Sequence, residues 1–241
     1  MNLNKINNLK IKIYLDGADI DLAKSCENND NIKGFTSNPS LMQKSGIQSY
    51  EQFIISFLQI TKKPVSFEVT ADDLGSMEQQ AEKISSFGSN IHVKIPVTNT
   101  KGESTIKIIK NLTAKKIMLN ITAIFTEKQL EEIISQVDPE AEIILSIFAG
   151  RIADAGVNPD NTFIKARQLI EKYKKYKFKL LWASVREVFN IYQAEKVGAD
   201  IITVTGDILK KVNLRGKDLN DYSIETVKMF YEDALKGNIK I

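Results

Sequence analysis

Eight short runs rich in Ile, Val and Leu alternate along this chain with segments of helical periodicity. This alternation constrains the fold more than any other feature of the sequence. Such runs are typical of parallel strands that are covered on both faces. Eight strands that alternate with helices predict an α/β protein, a single-domain (β/α)8 TIM barrel over residues 1–241. The predicted strands are 11–16, 32–37, 65–69, 91–96, 116–121, 142–148, 179–184 and 201–205. The predicted helices are 50–61, 76–87, 127–137 (with Thr126 as N-cap), 162–173, 185–196 and 223–235.

An open, doubly wound sheet is the alternative fold, but no glycine-rich dinucleotide-binding motif follows the first predicted strand. A length of 241 residues suits one α/β barrel domain. No apolar run is long enough to cross a bilayer, and the first eight residues lack the apolar core of a signal peptide. We therefore expect a cytoplasmic protein without a membrane partner.

The cysteine count and the charge exclude further classes. The single cysteine, Cys26, allows no internal disulfide and suits a reducing compartment. We expect it to be a buried spacer or a bystander in a helix, because no basic partner that could activate it is visible nearby. The formal net charge of +3 is mild, and the one basic stretch, at 172–179, interleaves lysines with Tyr and Phe. Such a stretch can contact nucleic acid, but it is more typical of a solvated helix end, so we expect no nucleic-acid partner.

One predicted strand, 91–96, contains a lysine, Lys94, in an otherwise apolar setting that Pro96 closes. Lysine is rarely buried without a partner or a task. Desolvation disfavours an ammonium ion relative to a neutral amine, and a neutral amine is a nucleophile towards a carbonyl group. Lys94 could instead cap the strand end and reach solvent. His92, in the same strand, is expected to face the opposite side and to take no part in chemistry.

Functional side chains recur at the carboxyl ends of the predicted strands, where (β/α)8 barrels hold their active sites. One polar residue there could be a cap or a turn residue, but a ring of them needs partners, because buried polar groups are almost always hydrogen-bonded. A shared pocket around a central amine would supply those partners. The candidates are Asp16, Asn38, Glu68, Lys94, Asn120, Thr122, Ser146, Phe148, Arg151, Ser184 and Arg186.

Schiff-base chemistry gives four of these residues a catalytic role. Lys94 would attack a ketone carbonyl and form an imine, which draws electrons from the adjacent carbon–carbon bond. Asp16 would act as general base on the departing hydroxyl group and later as general acid. Glu68 would move protons through a bound water, and Thr122 would hold that water.

The other candidates would bind the substrate. Asn38 and Asn120 would hydrogen-bond its hydroxyl groups and fix its orientation. Arg151 and Arg186, with Ser184, would clamp a phosphate group, because guanidinium groups bind phosphate oxygens bidentately. Ser146 and Phe148, at the end of the sixth predicted strand, would line the same pocket.

The chain resembles the transaldolase family, in its shorter branch, from Leu15 to about Thr205. The resemblance implies a class I aldolase mechanism on sugar phosphates, without a metal or another cofactor. It implies transfer of a dihydroxyacetone unit from fructose 6-phosphate or sedoheptulose 7-phosphate to an aldose phosphate in the non-oxidative pentose phosphate pathway, and a homo-oligomer. The segments that carry it are Asp16-Gly17-Ala18-Asp19, Gly34-Phe35-Thr36-Ser37-Asn38-Pro39-Ser40, Ser66-Phe67-Glu68-Val69, Val93-Lys94-Ile95-Pro96, Asn120-Ile121-Thr122-Ala123-Ile124-Phe125, Ser146-Ile147-Phe148-Ala149-Gly150-Arg151-Ile152-Ala153-Asp154 and Ala183-Ser184-Val185-Arg186.

Fructose-6-phosphate aldolase, which shares the fold and the lysine, is the alternative function. That enzyme usually has Gln at the position of Glu68 and Tyr at the position of Phe148. A tyrosine hydroxyl can protonate the intermediate and release free dihydroxyacetone, whereas Phe148 has no proton to give, so both positions favour a transferase. A non-catalytic binding protein is a second alternative, but it would have no need for Lys94 beside Asp16 and Glu68.

The chain also departs from the family pattern. Gly17 stands where the family usually has Thr or Ser, Ser37 replaces a common second Thr, Ile147 replaces a common Pro, and Val185 replaces a common Phe. Gly17 lacks the hydroxyl group that the family usually has next to Asp16. We therefore do not expect this chain to keep the family's preference among acceptor sugars.

Overall fold

The strands of the computed structural model, which describes residue 6 and residues 8–239, close into a parallel barrel in chain order. Each strand pairs with the next, and β8 pairs with β1. The predicted (β/α)8 barrel is therefore confirmed. The strands are β1 (Lys12–Asp16), β2 (Ile32–Thr36), β3 (Val65–Glu68), β4 (Ile91–Pro96), β5 (Leu119–Ile124), β6 (Ile143–Ile147), β7 (Phe178–Trp182) and β8 (Ile201–Thr205).

Helices connect the strands around the outside of the barrel. Side chains cap several of their first turns, and Thr126 and Gln129 form a full capping box, which confirms Thr126 as an N-cap. A 3-10 turn at Val212–Leu214 precedes the last helix. The helices are α1 (Ile20–Glu27), α2 (Pro39–Lys44), α3 (Tyr50–Ile60), α4 (Leu74–Ser86), α5 (Ile106–Ala114), α6 (Glu127–Gln136), α7 (Ala149–Asp154), α8 (Asp160–Lys172), α9 (Phe189–Lys196), α10 (Gly206–Lys211) and α11 (Leu219–Lys236).

Alternate strand residues build two separate cores. Residues such as Val93 and Ile95 belong to the large core between the barrel wall and the helices. Residues of the other parity point into the barrel. There Tyr14, Ile144 and Ile201 form part of a small apolar cluster. Each of the three lies two residues before a polar residue of its strand, so the cluster forms a floor beneath a polar layer.

Gly34 makes room for this floor. A Cβ atom at Gly34 would lie 2.6 Å from the Tyr14 ring and 2.8 Å from the Pro64 carbonyl oxygen. Real Cβ atoms do not approach other atoms so closely, so the Tyr14 ring occupies the space that a side chain would need. Glycine at this position thus lets an aromatic ring fill the barrel interior.

Some predicted boundaries are wrong. The fifth strand was expected at 116–121 but begins at Leu119, because Lys116 has a φ of 59° in the turn that ends α5. Asn120 and Thr122 consequently lie within β5 rather than at its end. The helix expected at 185–196 begins at Phe189, and β7 ends at Trp182, before Ser184. The segments α2, α7 and α10 have six residues each, which is too short for a helical period to be evident.

The basic stretch at 172–179 begins in the last turn of α8 and is mostly exposed, as expected of a solvated helix end. Lys172 lies 3.8 Å from Glu131, and Lys177 lies 2.7 Å from Glu140. Lys175 is only 6% exposed and its amine donates to the Val137 carbonyl oxygen. Three of its lysines therefore have local partners. Cys26 is buried on α1, which agrees with a buried spacer.

The last helix, α11, has no buried residue. It exposes large apolar side chains along its length, including Val227 and Phe230, each 63% exposed, and Tyr231 at 66%. Exposed apolar surface of this extent on one element marks an interaction site more often than a solvated face. Within the described ranges, no helix has both the length and the apolar character to span a bilayer.

Candidate active site

Lys94 lies inside the barrel, on β4, and is only 6% exposed. Its Nζ atom lies 2.9 Å from Glu68 Oε2 and donates to the Ser37 carbonyl oxygen at 3.2 Å. The register of β3, β4 and β5 places Glu68, Lys94 and Asn120 side by side. Glu68 was expected to act through a bound water, but it is close enough to Lys94 to accept the proton of the amine directly.

Asp16 ends β1 in the same polar layer. Thr36 Oγ1 donates to Asp16 Oδ1 at 2.8 Å. Burial raises the pKa of Asp16, and the charge of Glu68 adds to this effect, whereas the charge of Lys94 and the hydrogen bond from Thr36 oppose it. A carboxyl group whose pKa is raised holds its proton more readily than an ordinary carboxyl group, which suits a general acid and base. Glu68 and Lys94 are therefore close enough to Asp16 for their charges to change its pKa.

Asn120 is held by two serines. Its Nδ2 donates to Ser66 Oγ at 3.0 Å, and Ser146 Oγ donates to its Oδ1 at 2.6 Å. All three side chains are buried. These bonds fix the orientation of the amide group, and one Nδ2 hydrogen remains for a substrate hydroxyl.

Thr122 lies two residues beyond Asn120 on β5, so its side chain has the same interior parity. Its hydroxyl oxygen is buried and has no hydrogen-bond partner in the described part of the chain. Buried hydroxyl groups are rarely left without a partner. The Thr122 hydroxyl is therefore free to bind a water or a substrate atom.

Asn38 has a structural task that the sequence did not indicate. It is the N-cap of α2, and its Oδ1 accepts a hydrogen bond from the Leu41 N–H at 3.0 Å. Only its Nδ2 hydrogens remain to contact a substrate. Asn38 follows Ser37, whose carbonyl oxygen contacts Lys94, so it borders the same pocket.

The expected phosphate-binding residues lie close together at the ends of β6 and β7. A Cβ atom at Gly150, next to Arg151, would lie 1.6 Å from the Ser184 carbonyl oxygen and 3.3 Å from Arg186 Cγ. Arg186 contacts Asp154 through Nε at 3.1 and 3.2 Å, and this contact lowers the pKa of Asp154. Both arginines are exposed, so they are accessible to a ligand.

Phe148 lies between the phosphate-binding residues and the barrel interior. Its ring centroid is 5.6 Å from that of Phe125, and the Arg151 guanidinium lies over it at 5.6 Å. It also packs against the inner cluster. An apolar ring thus stands where the resemblance places a tyrosine in the aldolase.

Some site features were missed or misread in the sequence. Thr36 bonds both Asp16 and Thr203, and strand parity could have identified the two threonines. The predicted orientation of His92 is wrong, because residues two apart in a strand share a face, and His92 therefore points inward like Lys94. His92 lies towards the other end of the barrel, in a cavity with Ile144 and Lys179. Burial there lowers its pKa.

No group of three or more His, Cys, Asp or Glu side chains that could hold a metal ion occurs among the residues described. The site is built instead on one amine, two carboxylates and several hydroxyl and amide groups. The fold and this site define a (β/α)8 barrel with a buried lysine–carboxylate centre at the carboxyl ends of its strands.

Comparisons with known proteins agree with this class. The sequence model described as Transaldolase/Fructose-6-phosphate aldolase matches residues 13–240. The chain therefore belongs to the transaldolase/fructose-6-phosphate aldolase family. A probable transaldolase of Chelativorans sp. (strain BNC1) is 31% identical over 96% of this chain and 100% of that protein. A probable transaldolase of Thermoplasma acidophilum is 30% identical over 84% of this chain and 87% of that protein.

Solved structures show the same fold at much lower identity. A dihydrodipicolinate synthase from Bacillus clausii superposes with a TM-score of 0.59 and 10% identity, over 94% of this chain and 79% of that chain. A dihydrodipicolinate synthase from Thermotoga maritima gives 0.59 and 8%, over 94% and 80%. At this identity the likeness concerns the fold alone.

Proposed function

We propose that this protein is a transaldolase, which forms a Schiff base on Lys94 and transfers a dihydroxyacetone unit between sugar phosphates. The donor would be fructose 6-phosphate or sedoheptulose 7-phosphate and the acceptor an aldose phosphate, in the non-oxidative pentose phosphate pathway of the cytoplasm. The observation that carries the proposal is the contact of 2.9 Å between Lys94 Nζ and Glu68 Oε2 inside the barrel. The charges of both residues also act on Asp16.

The first half of the reaction forms the imine. Glu68 accepts a proton from Lys94, and the neutral amine attacks the ketone carbonyl of the donor. The carbinolamine then loses water, for which Glu68 supplies the proton and Thr122 offers its free hydroxyl. The product of this half is a protonated imine between Lys94 and the ketose.

The second half breaks and remakes a carbon–carbon bond. Asp16 takes the proton from the hydroxyl group next to the breaking bond, and the bonding electrons move to the imine as the aldose phosphate leaves. The resulting enamine attacks the aldehyde carbon of the acceptor, and Asp16 returns its proton to the new hydroxyl group. Water then hydrolyses the imine and releases the new ketose.

The phosphate group of each sugar would bind Arg151, Arg186 and Ser184. Arg186 would exchange part of its contact with Asp154 for the phosphate, which carries more charge and offers more acceptor atoms. The two arginines are the cationic groups at the carboxyl ends of β6 and β7, so they would orient the sugar chain towards Lys94.

The transferase is favoured over the aldolase alternative by Phe148. Its apolar ring packs against Phe125 and donates no proton to the enamine. An enamine without a proton donor waits for an aldehyde, which is the behaviour of a transferase. A binding protein without catalysis is disfavoured, because a buried lysine with a carboxylate partner costs stability and binding alone would not require it.

A homo-oligomer forms part of this proposal. Helix α11 leaves Val227, Phe230 and Tyr231 in solvent, and a second copy of this chain would cover them.

Borohydride trapping tests the proposed function. The protein is incubated with fructose 6-phosphate and borohydride, with and without erythrose 4-phosphate, and the modified peptide is identified by mass spectrometry. We expect a reduced dihydroxyacetone adduct on Lys94 that decreases when the acceptor is present. Lys175, which is equally buried at 6% exposure, is the internal control and should stay unmodified.

Two other results would change the proposal. Release of free dihydroxyacetone at the same rate without acceptor would favour the aldolase and would contradict the role given to Phe148. Absence of an adduct with every ketose phosphate tested would contradict Schiff-base chemistry on Lys94.

A further inference from the structure

Three side chains on neighbouring strands form a continuous hydrogen-bonded row. Strand β1 carries Asp16 and lies between β2 and β8. Thr36, on β2, bonds Asp16 Oδ1 at 2.8 Å and also contacts the hydroxyl oxygen of Thr203, on β8. Both threonines are buried. Neither threonine has a role in the mechanism proposed above.

The row has one direction when Asp16 is ionised. A threonine hydroxyl has a single hydrogen to donate, and a carboxylate oxygen can only accept. The hydrogen of Thr36 therefore points to Asp16 Oδ1. Thr203 must then donate to Thr36, so the hydrogens run from Thr203 to Thr36 to Asp16.

We propose that Thr203 is a positioning residue for Asp16, a role that rests on the function proposed above. It fixes the Thr36 hydroxyl towards Oδ1 and so leaves Oδ2 as the atom that exchanges a proton with the substrate. Within the described ranges, Oδ2 has no hydrogen-bond partner. Thr203 itself touches no reacting atom and acts through Thr36.

This role has a consequence for the ionisation of Asp16. Successive hydrogen bonds polarise one another, so the bond from Thr203 strengthens the bond from Thr36. The Thr36 bond lowers the pKa of Asp16, against the larger effect of burial. Loss of the Thr203 hydroxyl should therefore raise the pKa of Asp16 further.

Few other groups act on Asp16. The charged ones are Glu68 on β3 and Lys94 on β4. Strands β2 and β8 contribute the two threonine hydroxyls of the row, and Tyr14 precedes Asp16 on β1 with a pKa that burial raises to about 12. Lys94 and Glu68 remain in place in a Thr203 variant, so a shift would report the row itself.

The test is a carbon-13 NMR titration of Asp16 in the substrate-free protein labelled at aspartate carboxyl carbons. The Asp16 signal is assigned by its loss in Asp16→Asn. In Thr203→Val we expect the titration midpoint to rise by about half to one pH unit, the equivalent of one hydrogen bond of ordinary strength. Thr36→Val should shift it at least as far, and Thr203→Ser, which keeps the hydroxyl, should match the wild type.

Thr113→Val is the matched control, because it removes a half-buried threonine hydroxyl that bonds the Ile109 carbonyl oxygen on an outer helix. It should leave the Asp16 midpoint unchanged. If Thr203→Val does not fold, Thr203→Ala provides the same comparison. A Thr203 variant without the hydroxyl whose Asp16 signal titrates with that of the wild type would overturn the proposal.

A kinetic measurement connects the row with the reaction. The limb of the kcat/KM–pH profile that reports Asp16 should shift upward with the NMR midpoint in Thr203→Val, with KM for the ketose nearly unchanged. An unshifted limb beside a shifted NMR midpoint would overturn the role of Asp16 Oδ2 in proton transfer. Because the NMR titration needs no substrate, a protein without transferase activity would contradict the proposed function, while the midpoint would still decide the role of Thr203.

Discussion

The barrel interior and helix α11 are opposites in how they place polar and apolar groups. The interior buries an amine, carboxylates and hydroxyl groups in a polar layer around Lys94. Helix α11 exposes Val227, Phe230 and Tyr231 to solvent. Each region departs from the usual distribution of residues, in which polar groups face water and large apolar groups do not.

The difference indicates that the interior requires a polar ligand and that α11 requires an apolar protein surface. Polar groups buried without full hydrogen bonding need a polar ligand, and the free hydroxyl of Thr122 is one such group. Apolar groups exposed on a helix need an apolar surface, which a second copy of the chain would provide. Changes in the interior should therefore affect catalysis, and changes in α11 should affect assembly.

The largest expected effect follows from Lys94→Met, which keeps the side-chain volume and removes the amine. Without the nucleophile, transferase activity should fall on the order of 10⁴-fold or more. The control is Lys175→Met, which alters a lysine of equal burial far along the chain and should retain activity. Steady-state assays of both variants decide the point, and substantial activity in Lys94→Met would contradict the covalent mechanism.

Asp16→Asn should reduce kcat by about 10²–10⁴-fold, because the amide cannot exchange the proton. It should also raise the free energy of unfolding at neutral pH. The pKa of Asp16 is raised in the folded state, so the folded protein binds more protons than the unfolded chain, and ionised Asp16 costs stability above its folded pKa.

Urea titrations over a pH series measure this second effect. The stability advantage of Asp16→Asn should be full above the raised pKa and should disappear as the pH falls towards the ordinary carboxyl range. A variant less stable than the wild type at neutral pH would show that the interactions with Lys94 and Thr36 outweigh burial.

Arg186→Gln should affect binding rather than chemistry. Loss of a charge-assisted contact to the phosphate should raise KM for fructose 6-phosphate by about 10- to 100-fold. The matched measurement uses fructose as an unphosphorylated donor, for which KM should stay nearly the same. An equal rise for both donors would place Arg186 outside the phosphate site.

The smallest effect on the chemistry is expected from α11. The double variant Val227→Asp and Phe230→Asp introduces charges on the exposed apolar face, so it should dissociate the oligomer while Lys94 remains able to form the borohydride adduct. Light scattering of the purified wild type and variant gives the masses. A monomeric wild type, or a variant of unchanged mass, would contradict α11 as the interface.

Much of the fold could be predicted because each element has a local cause. Apolar runs such as 91–96 and 201–205 match their strands residue for residue. The error at β5 arose because Ile117 continues an apolar run, whereas the left-handed backbone at Lys116 delays the strand. Backbone conformation of this kind depends on how the preceding helix ends, and the apolar pattern does not contain it.

The candidate site was predictable in its members but not in their contacts. Position at a strand end identified Lys94, Asp16 and Glu68, since the barrel brings all strand ends together. The capping role of Asn38 and the row that leads to Thr203 depend on distances between separate elements. Such distances follow from the register of the closed sheet, which the sequence does not state.

The apolar floor beneath the polar layer has a consequence for the order of events. Tyr14, Ile144 and Ile201 fill the barrel interior below Lys94, so a substrate would reach Lys94 from the carboxyl ends of the strands. In the reaction proposed above, the first aldose phosphate would leave through the opening by which the second one enters. Donor and acceptor would therefore compete for this opening, and an excess of the acceptor should slow the reaction by occupying the site before the donor arrives.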